Sequence, residues 1–283
     1  VSIGFRLIDG SLSLMVGLFV LLLAPEAYLP IRQVGVQFHA AAEGVAATED
    51  IFAVLDAPGT SLRVTNVSAA LPPGELVVSG LRVQRGERSL APTSFAAHPG
   101  TVVLIEGPSG AGKSSVLAAL RGVAEFGGTA EFGGRDTRAL HPSSWLAWAG
   151  QQPGLVSGRI ADNVTLGDAT PDAPLVARAL TLACADDLDP NLELGVQGTG
   201  LSGGQAQRVA VARAFYRHLR GRAPVIAIDE PSSALDTATE ARLWQSVRTL
   251  ADGGAIVLLV SHRTSAREIA DHVVRLAPSE VTA

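Results

Sequence analysis

Hydrophobic and polar positions divide the chain into three zones. Residues 1–57 are apolar at first and then follow a helical pattern. Residues 58–75, PGTSLRVTNVSAALPPGE, carry Pro, Gly, Ser and Thr without periodicity and read as a linker. Residues 76–283 alternate short β-branched runs with longer helical patterns, which predicts an α/β architecture. Within that zone TVVLIE (101–106), PVIAID (224–229) and AIVLLVS (255–261) are continuous apolar runs of strand length. Such runs suit parallel strands covered on both faces, and the bounding Gly, Pro and Asp favour strand over buried helix. Residues 114–121, 204–219 and 239–250 read as helices.

The first zone contains FVLLLAPEAYLPIRQV (19–34), an apolar run interrupted by Pro25, Glu26 and Pro30. From Leu12 to Pro25 the chain is almost wholly apolar, a length that fits a buried helix or a signal-peptide core. No basic region precedes the run and no small-residue cleavage site comes after it, which argues against a signal peptide. Extended to Ile31 the run reaches about 20 residues, enough to cross a bilayer, with Glu26 its one charge. An intramembrane carboxylate costs on the order of 2–3 kcal/mol, so Glu26 should face a cavity or the headgroups. Arg32 fits a cytosolic exit, although Arg6 on the other side weakens that orientation.

Beyond it, Val34, Phe38, Ala41, Val45, Thr48, Phe52 and Leu55 recur at alternating steps of four and three, with no breaker until Pro58. A helix over 12–55 would be roughly 65 Å long and would extend well past a bilayer. Pro25 and Pro30 would kink it, and residues 1–8 would end a preceding helix through a turn at Asp9-Gly10.

Composition narrows the function classes. The 283 residues suit one or two domains, and 17% charged residues is below the usual quarter. A net charge of −5 with no basic stripe gives little support to nucleic-acid binding. The single cysteine, Cys184, rules out an internal disulfide framework, fits a reducing compartment and reads as a small buried hydrophobe. No Cys/His spacing suggests zinc, and His39, His98, His141, His218 and His272 have no motif context.

The chemistry begins after the strand at 101–106. GPSGAGKSS is Gly107, Pro108, Ser109, Gly110, Ala111, Gly112, Lys113, Ser114 and Ser115, a full G-x-x-x-x-G-K-[ST] between a strand and a helix. The glycines let backbone N–H groups turn around phosphate oxygens, and the helix start adds positive potential. Lys113 would reach the β- and γ-phosphates of a nucleoside triphosphate and Ser114 would hold Mg2+. In VIAIDEP (225–231) a buried strand delivers Asp229 to the Mg2+ shell and Glu230 toward the γ-phosphate, where a carboxylate can deprotonate a water.

LSGGQAQRVAVARAF (201–215) resembles the signature of ATP-binding-cassette proteins. Ser202, Gly203 and Gly204 open a helix at Gln205, a second anion-binding helix start. The resemblance implies that this start caps an ATP held by a partner domain, so that two nucleotide-binding domains complete each site. It further implies that Gln151, with Gln152 as rival, is a glutamine that senses Mg2+ and contacts a membrane domain. Ser233, Ala234, Leu235 and Asp236 resemble the loop that crosses the dimer interface, and His262 a histidine that contacts the γ-phosphate.

Two departures stand out. The family's adenine-stacking aromatic corresponds here to Arg85 in LRVQRGERSL, whose guanidinium can also stack on a base. The charged segment often found before the signature is LGVQGTG, with Val196 and Gln197 at the charged positions.

LLLAPEAYLPIRQVG (21–35) with FHAAAEG (38–44) further resembles CydD-type subunits of a heterodimeric thiol-reductant exporter associated with cytochrome bd assembly. That resemblance implies a P-loop NTPase domain at 76–283, behind the last transmembrane helix of an exporter at 1–57, in a chain truncated at its N-terminus. It implies a CydC-like partner, contact with membrane lipid, cysteine or glutathione as cargo, and a bacterial cytoplasmic-membrane location with the nucleotide domain in the cytosol. Export of a lipid, peptide or drug, a soluble ATPase, and a remnant that only binds nucleotide are the competing readings.

Overall fold

A computed structural model of the chain describes residues 2–56, 71–85, 88–277 and 280–281. The chain divides into two compact units, Val1–Leu62 and Arg63–Ala283. Most of the expected linker, and the division itself, fall outside the described residues.

The first unit is a helical pair. Helix α1 (Ser2–Ile8) ends in a turn at Asp9-Gly10, where Gly10 takes φ 67°. Helix α2 (Leu14–Asp56) then runs 43 residues through Pro25 and Pro30, about 65 Å at 1.5 Å per residue. Gly17 lets the two helices meet, since a Cβ there would lie 2.9 Å from Leu7. Nine apolar side chains between Leu14 and Leu23 are exposed, as are Val34, Val45 and Phe52 of the expected helical face. The side chains of Phe38 and Leu55 lie outside the described residues. Among the described residues no helix is long and apolar enough to cross a membrane. The uninterrupted apolar run stops at Ala24, and Pro25, Glu26, Tyr28 and Pro30 dilute the helix beyond it.

In the second unit, chain order gives β1 (Leu76–Arg85), β2 (Arg88–Ser89), β3 (Thr93–Ala97), β4 (Val102–Glu106) and α3 (Lys113–Leu120). Next come β5 (Phe126–Phe132), β6 (Arg135–Asp136), β7 (Leu146–Ala149), β8 (Gly158–Arg159), α4 (Ile160–Val164) and α5 (Ala173–Leu182). The last third holds β9 (Glu193–Leu194), α6 (Gly203–Leu219), β10 (Val225–Asp229), α7 (Thr237–Asp252), β11 (Ile256–Val260), β12 (His272–Arg275) and β13 (Glu280–Val281).

The three apolar runs become β4, β10 and β11, the middle of a five-stranded sheet ordered β12-β4-β11-β10-β7 and parallel throughout. Alternate residues feed two cores. Val102, Leu104, Ile226, Ile228, Val257 and Leu259 face the helical side with Phe215 and Leu243. Val103, Ile105, Val225, Ala227, Leu258 and Val260 face α3 and the antiparallel sheet β13-β2-β1-β5-β6. Both faces are covered, as continuous apolar strands require. Apart from Arg85 at the end of β1, that antiparallel sheet and the two outer parallel strands, β7 and β12, carry none of the sequence-predicted site residues.

A buried ion cluster ties α6 to the segment between α4 and α5. The Asp168 side chain, 4% exposed, accepts from Tyr216 Oη at 2.8 Å, Arg220 Nε at 2.9 Å and Arg222 Nη2 at 2.8 Å. Burial alone would raise its pKa. The bonds from Arg220, Tyr216 and the Thr170 amide, with the charge of Arg222, outweigh that and hold it well below the usual carboxylate range. A depressed carboxylate contributes stability above its unfolded pKa and loses it as pH falls through the folded one. Asp168→Asn is therefore expected to cost on the order of 2 kcal/mol at pH 7, lowering Tm by about 5 °C. The gap to wild type should shrink below about pH 4. Thermal melts of both proteins across pH check this.

Candidate nucleotide site

The parallel register determines which residues meet. Asp229 pairs with Val260 and Val260 with Ile105, so β10, β11 and β4 end level with one another. Their next residues are Glu230, Ser261-His262 and Glu106-Gly107, which gathers three sequence-predicted segments at one edge of the sheet. Carboxyl ends of parallel strands are where α/β sheets bind ligands.

The loop from Gly107 to Gly112 has the form of an anion cradle. Among the described residues, the amides of Gly110, Gly112, Lys113 and Ser114 find no protein acceptor. Buried or clustered amides without acceptors call for a ligand. Gly112 takes φ 94° and caps α3 without a side chain. A Cβ there would lie 2.3 Å from Leu90 Cδ1, so both backbone conformation and space demand glycine. Leu90 is a wall of this site that no sequence signal marks. Lys113 Nζ folds over the loop, donating to Gly107 O at 2.9 Å and Pro108 O at 3.1 Å. Behind the loop, Glu106 receives Arg275 at 2.7 Å and Arg267 at 2.8 Å. Both hold its pKa below the usual carboxylate range, Arg275 most strongly, against the opposing effect of burial.

Asp229 is 2% exposed, and its Oδ1 is buried without a hydrogen-bond partner among the described residues. Burial raises its pKa, and Glu230 adds to that, while Ser114 and Lys113 act against it. An orphaned carboxylate oxygen beside a hydroxyl could serve as a ligand to a cation. Glu230 takes φ 52°, rare for a residue other than Gly and strained by roughly 1–3 kcal/mol. Its amide is held by Val260 O at 2.9 Å, and its Oε1 lies 3.4 Å from His262 Nδ1.

The remaining predicted residues divide by location. Gln151 and Gln152 are exposed just beyond β7. Ser202 caps α6 in a reciprocal box, its Oγ accepting from the Gln205 amide at 3.2 Å and its amide donating to Gln205 Oε1 at 2.9 Å. Gly204 abuts Ala234 closely, since a Cβ there would lie only 3.2 Å from Ala234 Cβ. Asp236 caps α7 through the Thr239 amide at 2.9 Å, while Ser233 and Ala234 are exposed. A cleft of about 390 Å³ beside the signature is lined by Ser202, Gln205, Arg208, Asp236 and Cys184, and by no residue of 107–115. The phosphate loop therefore shares no lining residue with the cleft at the signature. The Arg85 side chain lies outside the described residues, and its backbone ends β1 opposite Arg88.

A family model described as "ABC transporter" matches residues 90–233, just over half of the chain. The chain belongs to the ABC transporter family.

Among relatives in this family, the glutathione/L-cysteine transport system protein CydD of Escherichia coli is 33% identical over 272 residues, covering 90% of this chain and 45% of that protein. CydC of Bacillus subtilis is 34% identical over 274 residues, 93% of this chain and 47% of that protein. CydD of Haemophilus influenzae is 29% identical over 99% of this chain and 49% of its own length. The chain spans about half the length of these relatives. Among solved structures, a bacterial Atm1-family ABC exporter with ATP bound matches with TM-score 0.71 and 26% identity, over 95% of this chain and 49% of that one. An ABC cassette is a nucleotide-binding domain, which agrees with the anion cradle.

Gly112→Ala is expected to lower nucleotide affinity by tenfold or more, since the loop must both leave its left-handed turn and displace Leu90. Titration with a fluorescent nucleotide, with circular dichroism to verify folding, measures it.

Proposed function

We propose that this chain is the ATP-hydrolysing half of an exporter subunit that moves reduced thiols, cysteine or glutathione, across the bacterial cytoplasmic membrane. The observation that carries the hydrolytic part is the orphaned Asp229 oxygen beside Ser114, one strand end away from the strained Glu230. The amides of Gly110, Gly112, Lys113 and Ser114, with the Lys113 ammonium, bind the triphosphate and orient its terminal phosphate. Ser114, Asp229 and Gln151 would hold Mg2+, which when bound neutralises charge on the phosphate oxygens. Glu230 takes the proton of the attacking water, and His262, 3.4 Å away, keeps that carboxylate in place and contacts the terminal phosphate.

A cleft at the signature that no residue of the phosphate loop lines supports a site completed by a second cassette. In this reading Ser202, Gly203, Gly204 and Gln205 cap the partner's nucleotide with the α6 N-terminus, and residues 233–236 lie at the shared interface. The relatives named CydC and CydD support a CydC-like partner and a thiol cargo. The exposed apolar side chains of α2 support contact with lipid and with the rest of a membrane part.

The test uses inverted membrane vesicles carrying the full-length subunit with its partner. ATP-dependent uptake of labelled cysteine or glutathione is expected, and Glu230→Gln should abolish uptake and hydrolysis while keeping ATP binding. Hydrolysis without thiol uptake would overturn the cargo, and unchanged turnover in Glu230→Gln would overturn the role of Glu230.

A further inference from the structure

The buried stripe of α7 runs Glu240, Leu243, Trp244, Val247, Leu250 and Ala251, and Glu240 is its one charged member. Apolar residues at that spacing are expected on a helix packed against a sheet. A carboxylate only 7% exposed is not, unless partners offset its desolvation. Among the described residues those partners lie in one short segment. Ser265 Oγ donates to Glu240 Oε1 and accepts from Trp244 Nε1 at 3.1 Å. Arg263 Nε lies 3.4 Å from Glu240 Oε2. A carboxylate and an indole one turn apart on α7 therefore grip a single hydroxyl, and an arginine two residues before it faces the second oxygen.

That segment carries His262. The histidine side chain is 62% exposed, and its Nδ1 lies 3.4 Å from Glu230 Oε1. With so little packing around the ring, its direction follows from the backbone, and the backbone is pinned on both sides. Upstream, β11 ends at Val260, and the Arg263 amide turns back to donate to the buried Ser261 Oγ at 3.1 Å. Downstream, a 3-10 turn over Thr264–Glu268 is held by Glu240 through Ser265 and by Glu106 through Arg267 at 2.8 Å. Glu106 has a second arginine, Arg275, whereas both oxygens of Glu240 face the segment beside His262.

We propose that Glu240 is a positioning residue that sets His262 against Glu230 and the terminal phosphate, acting through Ser265 and Arg263. Without its carboxylate the turn is free to swing about Ser261, and the imidazole leaves Glu230. The inference rests on the hydrolytic reading above, in which His262 holds the Glu230 carboxylate and contacts the phosphate.

The test is a double-mutant cycle on the full-length subunit assembled with its partner. Wild type, Glu240→Ala, His262→Ala and the double variant are compared in ATP turnover and in affinity for a fluorescent nucleotide. Turnover is counted as the part that Glu230→Gln removes, which assigns it to this chain's own loop. Glu240→Ala is expected to lower kcat roughly tenfold, with nucleotide Kd within about twofold, because the phosphate loop is untouched. The double variant should match His262→Ala, since a residue that acts through the histidine then has nothing left to position. Losses that multiply in the double variant, or a Kd that weakens as far as kcat falls, would overturn the proposal by leaving Glu240 a packing residue. If Glu240→Ala does not assemble, Ser265→Ala removes the shared hydroxyl alone and should show the same non-additivity. Full turnover in His262→Ala would instead fault the hydrolytic reading, and the inference would fall with it.

Discussion

Parallel strands that end level with one another are the constraint on which the rest depends. Val260 pairs with Asp229 on one side and Ile105 on the other. A slip of one residue would turn every side chain of the slipped strand to the opposite core. Here that would send Ile226 and Ile228 toward α3 and withdraw Asp229 from Ser114. Fully buried, β-branched strands exclude such a slip, because the two cores are filled by different sets of alternating residues. The apolar packing that stabilises the domain thereby also sets the chemical groups at its edge.

Strain and unsatisfied valence collect at that end of the sheet. The left-handed Glu230, the orphaned Asp229 oxygen and the acceptor-free amides of the glycine loop are each unfavourable in a folded chain without a ligand. A nucleotide with its cation would satisfy the latter two together. Glu106, by contrast, is held by two arginines, and Asp168 by two arginines and a tyrosine; both are saturated and serve the frame.

Legibility in the sequence followed contact distance. The glycine loop, Asp229-Glu230 and the signature are contiguous segments whose local geometry follows from residue type, and each lies on the predicted kind of element. The strands β4, β10 and β11 were readable because they are buried on both faces. By contrast β7 reads LAWA and β12 HVVR, too short and too mixed to stand out. Leu90 against Gly112, Gln207 on Gly150 and Arg213 on Gly154 join residues 22, 57 and 59 apart, and nothing in one chain's pattern announces such pairs. The apolar stretch near the N-terminus was legible as a long helix, though its density of apolar residues falls after Ala24.

The central claim is that the phosphate loop of one cassette is completed by the signature of another. It is tested by Ser202→Glu in the full-length subunit assembled with its partner. A carboxylate at the α6 cap would repel a phosphate while leaving this chain's own loop intact. Photolabelling by an azido nucleotide should then continue on this subunit while ATP turnover at the site capped by Ser202, the partner's, is lost. Undiminished turnover in that complex would mean that the α6 N-terminus faces no nucleotide, and the composite site would have to be abandoned.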